Sequence, residues 1–167
     1  MSHEEHKAKA HKTVNFAIVT ISSTRKLEND ESGNLIKRIL ERHNHKVIIH
    51  TVIPDNQEII KGHIKDLISK EDVEAIITNG GTGLAKEDLT IEAIRPLFEK
   101  ELTGFNSLLA QLSYESIGPS TILSRATAGT ANKKVIFCLP GSPKACGLAV
   151  GEIIVQEAGH IVKHLNE

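Results

Sequence analysis

The chain has 167 residues, enough for one domain with a substantial core, and its 40% hydrophobic and 25% charged content is that of an ordinary globular protein. Its 20 Lys and Arg against 21 Asp and Glu leave a formal net charge of -1, which gives no electrostatic reason to expect nucleic acid or a membrane surface. Aromatic side chains at 3% argue against a base-stacking platform, and two cysteines cannot form a disulfide framework or a four-cysteine zinc site.

Residues 1–13 are polar and rich in His and Lys and read as a mobile tail, with His3, His6 and His11 able to bind a metal only adventitiously. The rest, residues 14–167, reads as one domain. Residues 14–21 form a first apolar run ending in Ser22-Ser23-Thr24-Arg25. A helix is predicted from about Ser32, which is placed to cap it, with Leu35, Ile36, Ile39 and Leu40 on one face. Residues 46–53 form a second strand halted by Pro54-Asp55-Asn56, and a second helix aligns Ile59, Ile60, Ile64, Leu67 and Ile68. Residues 73–77 form a third strand.

Helices are predicted over 90–97 and 103–114, a strand over 134–139, and a last helix over about 144–164. Residues 119–130 add a strand that turns at Asn132-Lys133 to pair with 134–139. Cys138 and Cys146 fall in apolar segments and read as small buried hydrophobes. Two strand–helix crossovers in succession imply parallel strands with helices on the sheet faces. The expectation is a single α/β domain, a mostly parallel sheet flanked by helices on both faces with a small antiparallel edge. No signal-peptide pattern and no apolar run near the roughly 18 residues of a membrane span is found, so a cytoplasmic protein is expected.

The densest chemical signal follows the third strand: Gly80-Gly81-Thr82-Gly83, then Asp88 and Thr90. Three glycines in four residues permit a sharp turn and close backbone approach to a ligand. Successive N–H groups in such a turn form an anion-binding concavity, and Asp88 is placed to hold a metal ion beside a phosphate. The pattern is neither Gly-x-Gly-x-x-Gly nor a P-loop. In an open parallel sheet ligands bind beyond the carboxyl ends of the strands, where four predicted loops converge. They bring Ser22, Asp55, Gly80 to Gly83, Asp88 and Pro140-Gly141-Ser142 to one edge. Asp55 and Asp88 are of the type that holds Mg²⁺ through one or two carboxylates plus substrate phosphates. Singly, each has a plainer role: Asp55 or Ser142 as a helix cap, Asp88 as a shaper of the next helix start, Arg125 as a surface ion-pair partner.

Val52-Ile53-Pro54-Asp55, Gly80-Gly81-Thr82-Gly83 with Asp88 and Thr90, Leu123-Ser124-Arg125 before Ala128-Gly129, and Leu139-Pro140-Gly141-Ser142-Pro143 occur in that order. With these motifs the chain resembles the MoaB/Mog family of molybdenum-cofactor biosynthesis from about Val14 to its C-terminal helix. The resemblance implies a homotrimer or homohexamer that adenylylates molybdopterin with ATP and Mg²⁺ or a similar cation, releasing pyrophosphate. It also implies handover to a separate molybdenum-inserting protein. By motif match Asp55 and Asp88 are the functional aspartates and metal holders. Gly80, Gly81, Thr82 and Gly83 match the ligand-binding loop, and Ser124, Pro140, Gly141 and Ser142 match pocket positions.

Two positions depart from the family pattern: Ser23, where relatives often carry Asp, and Glu87, where many carry Arg, with Lys86 as a partial replacement. They motivate an alternative, a non-catalytic molybdopterin-binding carrier or scaffold. A CinA-like nucleotide hydrolase is the other, disfavoured because Thr82-Gly83-Leu84-Ala85 and not Gly-Pro-Thr follows the double glycine.

Overall fold

The computed structural model describes Ser2, Glu4, Glu5 and residues 13–167. The expected tail, with His3, His6 and His11, falls almost wholly outside them. In chain order the elements are β1 (Asn15–Ile21), α1 (Glu31–Arg42), β2 (Lys46–Ile53), α2 (Gln57–Ile68), β3 (Ala75–Asn79), α3 (Thr90–Ile94), β4 (Lys100–Glu101), α4 (Thr103–Ile117), β5 (Thr127–Ala131), β6 (Lys134–Leu139) and α5 (Pro143–Asn166). Short 3₁₀ turns cover Leu27–Asn29, Arg95–Leu97 and Gly118–Leu123, and a π-helical turn at Val150–Ile154 interrupts α5.

The six strands are ordered β2-β1-β3-β6-β5-β4. β1, β2, β3 and β6 run parallel, and β5 pairs antiparallel with both β6 and β4. The central strands are mostly apolar because both their faces are covered, with Thr20, Thr78 and Asn79 as buried polar exceptions near their carboxyl ends. Successive side chains point to opposite faces. Phe16, Ile18, Ile77 and Phe137 therefore join the core under α1, α4 and α5, while Ala17, Val19, Ile76 and Ile136 join the core under α2 and α3. The expected α/β domain with an antiparallel edge is found.

Several local expectations are corrected. Asp30, not Ser32, caps α1, accepting the Gly33 N–H at 3.0 Å. The stretch expected as strand over 119–130 is 3₁₀ turn up to Leu123, with strand only from Thr127. Pro96 ends the α-helical part of the expected 90–97 helix, since proline has no N–H to continue it. β4 was not foreseen from the sequence. The expected turn at Asn132-Lys133 is present, with φ of 46° and 63°, the left-handed pair that suits the twist of a two-residue hairpin.

α5 also corrects the expectation about apolar runs: its 24 residues are long and apolar enough to cross a membrane by length and composition. Here its buried side, with Cys146, Ala149, Val150, Ile154, Ala158 and Val162, packs into the core on the sheet.

Candidate functional site

The carboxyl ends of β1, β2, β3 and β6 lie side by side, so the loops after them form one surface. The loop after β1 is held by its own serine. Ser22 N–H donates to Ile53 O at 2.9 Å, and Ser22 Oγ accepts from Thr24 N–H and Arg25 N–H at 3.3 and 3.1 Å. Ser22 therefore shapes this loop. Its neighbour Ser23 reaches Asp55 in the loop after β2, giving backbone and hydroxyl hydrogen bonds to Asp55 Oδ2 at 2.9 and 3.0 Å. Asn56, not Asp55, caps α2, its Oδ1 accepting from Ile59 N–H at 3.1 Å. The capping role is thus filled one residue away, and Asp55 belongs to the inter-loop surface.

The glycine loop leaves β3 at Gly80 and Gly81, with φ of +97° and +68°, a region in which a Cβ is strained. Gly80 N–H donates to Leu139 O at 3.0 Å, and Thr90 closes the loop from the far side, Oγ1 to Gly80 O at 2.8 Å and N–H to Gly81 O at 3.1 Å. Among the described residues, none accepts from the N–H groups of Gly81, Thr82 or Gly83. Three consecutive amides are thus left without an internal partner along this stretch, the kind of donor row that suits an anion. Asp55 borders its start, since a Cβ at Gly81 would lie 3.3 Å from Asp55 Oδ1, and Asp88 borders its end, since one at Gly83 would lie 2.7 Å from Asp88 Oδ2. Asp88 does not cap α3, whose N-terminus has no side-chain cap; its Oδ2 accepts Ala85 N–H at 2.9 Å and tightens the loop instead.

Arg125 is the residue that local reading undervalued. Its Nε donates to Thr82 O and Gly83 O at 3.0 and 3.2 Å, and its Nη2 to Asp88 O at 3.3 Å. It also forks onto the Glu92 carboxylate, so the ion pair expected of it exists, but its guanidinium clamps the outside of the glycine loop. That hydrogen bond holds the Glu92 carboxyl below the ordinary carboxylate range. The only sequence signal was its place in Leu123-Ser124-Arg125.

The loop after β6 completes the surface. Ser142 caps α5, accepting Ala145 N–H at 3.2 Å, as its plainer reading had it. A Cβ on Gly141 would come 3.2 Å from Gly80 Cα, so these two loops touch through their glycines. Beside them a cavity of about 130 Å³ is lined by Ser124, Pro140, Ser142, Asn106, Ser113 and Thr121 among others. The site residues thus form two adjoining parts. Asp55 and Asp88 flank the Gly80 to Gly83 loop, and Ser124, Pro140 and Ser142 line the cavity. Asn106 and Ser113 carry no sequence motif, being brought in by α4.

Among the described residues no group of three or more His, Cys, Asp or Glu side chains is arranged to hold a metal. Two carboxylates beside an anion site suit a hard cation such as Mg²⁺, which is commonly bound by one or two carboxylates, substrate phosphates and water. Each has Oδ2 tied, to Ser23 or to Ala85, while Oδ1 accepts no hydrogen bond from a described residue. Burial pushes both Cys138 and Cys146 up to about 12, so neither thiol is a nucleophile here.

Residues 17–160, most of the chain, match the family model described as "Probable molybdopterin binding domain". The chain belongs to the MoaB/Mog family of molybdenum-cofactor biosynthesis. Molybdenum cofactor biosynthesis protein B of Bacillus cereus is 46% identical over 99% of each chain. A Methanocaldococcus jannaschii relative named "Probable molybdopterin adenylyltransferase" is 44% identical, over 93% of this chain and 96% of its own. A crystal structure of a molybdenum cofactor biosynthesis protein B superposes with a TM-score of 0.91 at 44% identity, covering 95% of this chain and 99% of that one. The MoaB/Mog membership agrees with the single α/β domain and its mostly parallel sheet.

Proposed function

We infer that this chain adenylylates molybdopterin: the substrate's terminal phosphate attacks the α-phosphorus of ATP, the bond to the β-phosphate breaks, and pyrophosphate leaves. The observation that carries this reading is the trio of unpartnered amides at Gly81, Thr82 and Gly83 between Asp55 and Asp88. A phosphate nucleophile is already anionic near neutral pH, so positioning and charge neutralisation dominate. In this reading the three amides bind and orient a phosphate group of ATP. Arg125 holds the Thr82 and Gly83 carbonyls, and the mixed polar and apolar cavity beside Ser124 and Ser142 receives the partner substrate. Asp88 and Asp55 would hold Mg²⁺, which when bound supplies charge neutralisation at the transferring phosphate.

Ser23, a departure from the family pattern, keeps Asp55 in place through two donors but supplies no second carboxylate for a cation. Glu87 is exposed, and with Ser23 it carries the argument for the carrier reading. A homo-oligomer belongs to the proposal as well, supported by the exposed apolar side chains Leu108, Tyr114, Ile117, Ile122 and Leu123 in and after α4. So does transfer of the product to a molybdenum-inserting partner.

The test is incubation with molybdopterin, ATP and Mg²⁺ and detection of adenylylated molybdopterin by mass, with Asp88→Asn in parallel. Product from the parent and little from the variant is expected. Molybdopterin binding with no product supports the carrier reading, and near-full activity of Asp88→Asn over a range of Mg²⁺ removes the metal role. A monomer in sedimentation at micromolar concentration would contradict the assembly.

A further inference from the structure

Beneath the site runs a buried polar chain that the proposed reaction leaves unused. His50 Nε2 lies 2.7 Å from Asp30 Oδ2. The same oxygen accepts from Thr20 Oγ1 at 2.6 Å, and Thr20 Oγ1 accepts from Asn79 Nδ2 at 2.8 Å. Gly33 N–H donates to the other Asp30 oxygen at 3.0 Å. Asp30, Thr20 and Asn79 expose no surface. An amide NH₂ only donates, so Asn79 fixes the direction of the Thr20 hydroxyl. Thr20 must turn its proton to Asp30, and its lone pair must take the Asn79 amide. A buried carboxylate is tolerated because donors surround it.

The chain ends at Asn79, the residue before Gly80. A second arm leaves the same helical turn: Ser32 Oγ donates to Gly141 O at 2.7 Å, and Arg25 Nη1 reaches that carbonyl at 3.4 Å. Gly33 sits between the arms, where a Cβ would collide with the Asp30 and His50 side chains. One turn of α1 therefore grips both of the loops that touch at Gly80 and Gly141. Ser32, expected as a mere cap, is part of that grip.

We propose that the first turn of α1 is a positioning element for the anion site. Asp30 acting through Thr20 and Asn79, and Ser32 acting on Gly141, set where Gly80 rests and so how the amides of Gly81, Thr82 and Gly83 face a phosphate. The proposal rests on the anion-binding reading of the glycine loop but not on the identity of the reaction.

The test compares Thr20→Val, which keeps the shape and removes the hydroxyl, with Thr20→Ser, which keeps the hydroxyl and removes the methyl. Amide hydrogen exchange is read at Gly80 and Thr90, whose N–H groups are held by Leu139 O and Gly81 O. The β5–β6 hairpin is the reference for the fold, and affinity for inorganic pyrophosphate is measured alongside.

In Thr20→Val, exchange at Gly80 and Thr90 is expected to quicken roughly tenfold and pyrophosphate affinity to weaken by a similar factor. The hairpin should be unchanged, and Thr20→Ser should behave as the parent. Uniform quickening that includes the hairpin would reduce the chain to a scaffold role and overturn the proposal. Equal loss in both variants would assign the effect to packing, and parent-like loop exchange or pyrophosphate affinity in Thr20→Val would also overturn it. If the parent yields no adenylylated molybdopterin, the proposed reaction fails, while exchange and pyrophosphate binding still judge the positioning role.

Discussion

Ser23 and Asp55 bind each other reciprocally: Asp55 Oδ2 accepts from the Ser23 N–H and hydroxyl at 2.9 and 3.0 Å, while Ser23 Oγ accepts from the Asp55 N–H at 3.1 Å. The loops after β1 and β2 are thereby locked together, and one carboxylate oxygen of Asp55 is fixed. Ser23→Ala removes two of the three bonds and leaves the backbone donor. A loss of about 1 kcal/mol in stability and about tenfold in kcat/KM for adenylylation is expected. Thermal unfolding and steady-state kinetics at several Mg²⁺ concentrations check both, and the effect on Mg²⁺ dependence should be shared with Asp55→Asn.

Gly81 combines a φ of +68° with contact against Thr90 Oγ1, so Gly81→Ala meets strain and crowding together. A destabilisation of about 1–3 kcal/mol is expected, equivalent to a fall in Tm of roughly 2–4 °C per kcal/mol for a chain of this size. Pyrophosphate binding should weaken as well. Scanning calorimetry and titration calorimetry measure the two effects separately.

Arg125 engages three backbone carbonyls and one carboxylate through a planar fork. Lysine cannot reproduce that pattern, so Arg125→Lys should be nearly as damaging as Arg125→Ala. Each is expected to lower the urea midpoint, corresponding to about 1–2 kcal/mol, and to reduce kcat/KM without touching substrate directly. Full activity in Arg125→Lys would show that charge alone suffices.

His45 stacks edge-on with Phe16, ring centroids 5.4 Å apart, and accepts the Val14 N–H through Nδ1 at 3.1 Å. Burial holds its pKa below 6.5, and burial lowers His63 in the same direction. Below the unfolded pKa the unfolded chain binds more protons at these sites than the folded one, so stability falls as pH falls. Their contribution is complete above about pH 6.5 and fades as the solution is acidified toward the lower folded values. Tm should drop between about pH 7 and about pH 5.5, and His45→Asn should flatten that slope to the share left by His63.

The parts of this fold that could be read from residues are those set by short-range periodicity. β1, β2, β3 and β6 are predominantly apolar, β-branched runs, and their shared direction puts Asp55, the glycine loop and Ser142 on one edge. Asp55 alone could not be told from a helix cap, because the decision lies with Asn56 and Ser23. Arg125 and the Asp30 chain were hidden for another reason. Their partners lie 37 to 43 residues away for the Arg125–loop bonds and 59 for Asn79–Thr20, distances at which a single sequence carries no periodic signal. β4 is two residues long, too short for any pattern to mark.

The strand order has a consequence for how the chain is made. β3 emerges from the ribosome with β1 on one side, but its other neighbour is β6, which is not complete until Leu139. β5 leaves earlier than β6 and also depends on it for its pairing toward the sheet centre. A nascent chain short of residue 134 therefore leaves β3 and β5 each with an open edge, and one short of α5 leaves part of an apolar sheet face uncovered as well. Consolidation of the molecule must wait for β6 and α5, so premature termination there yields a sticky fragment in place of a smaller working domain.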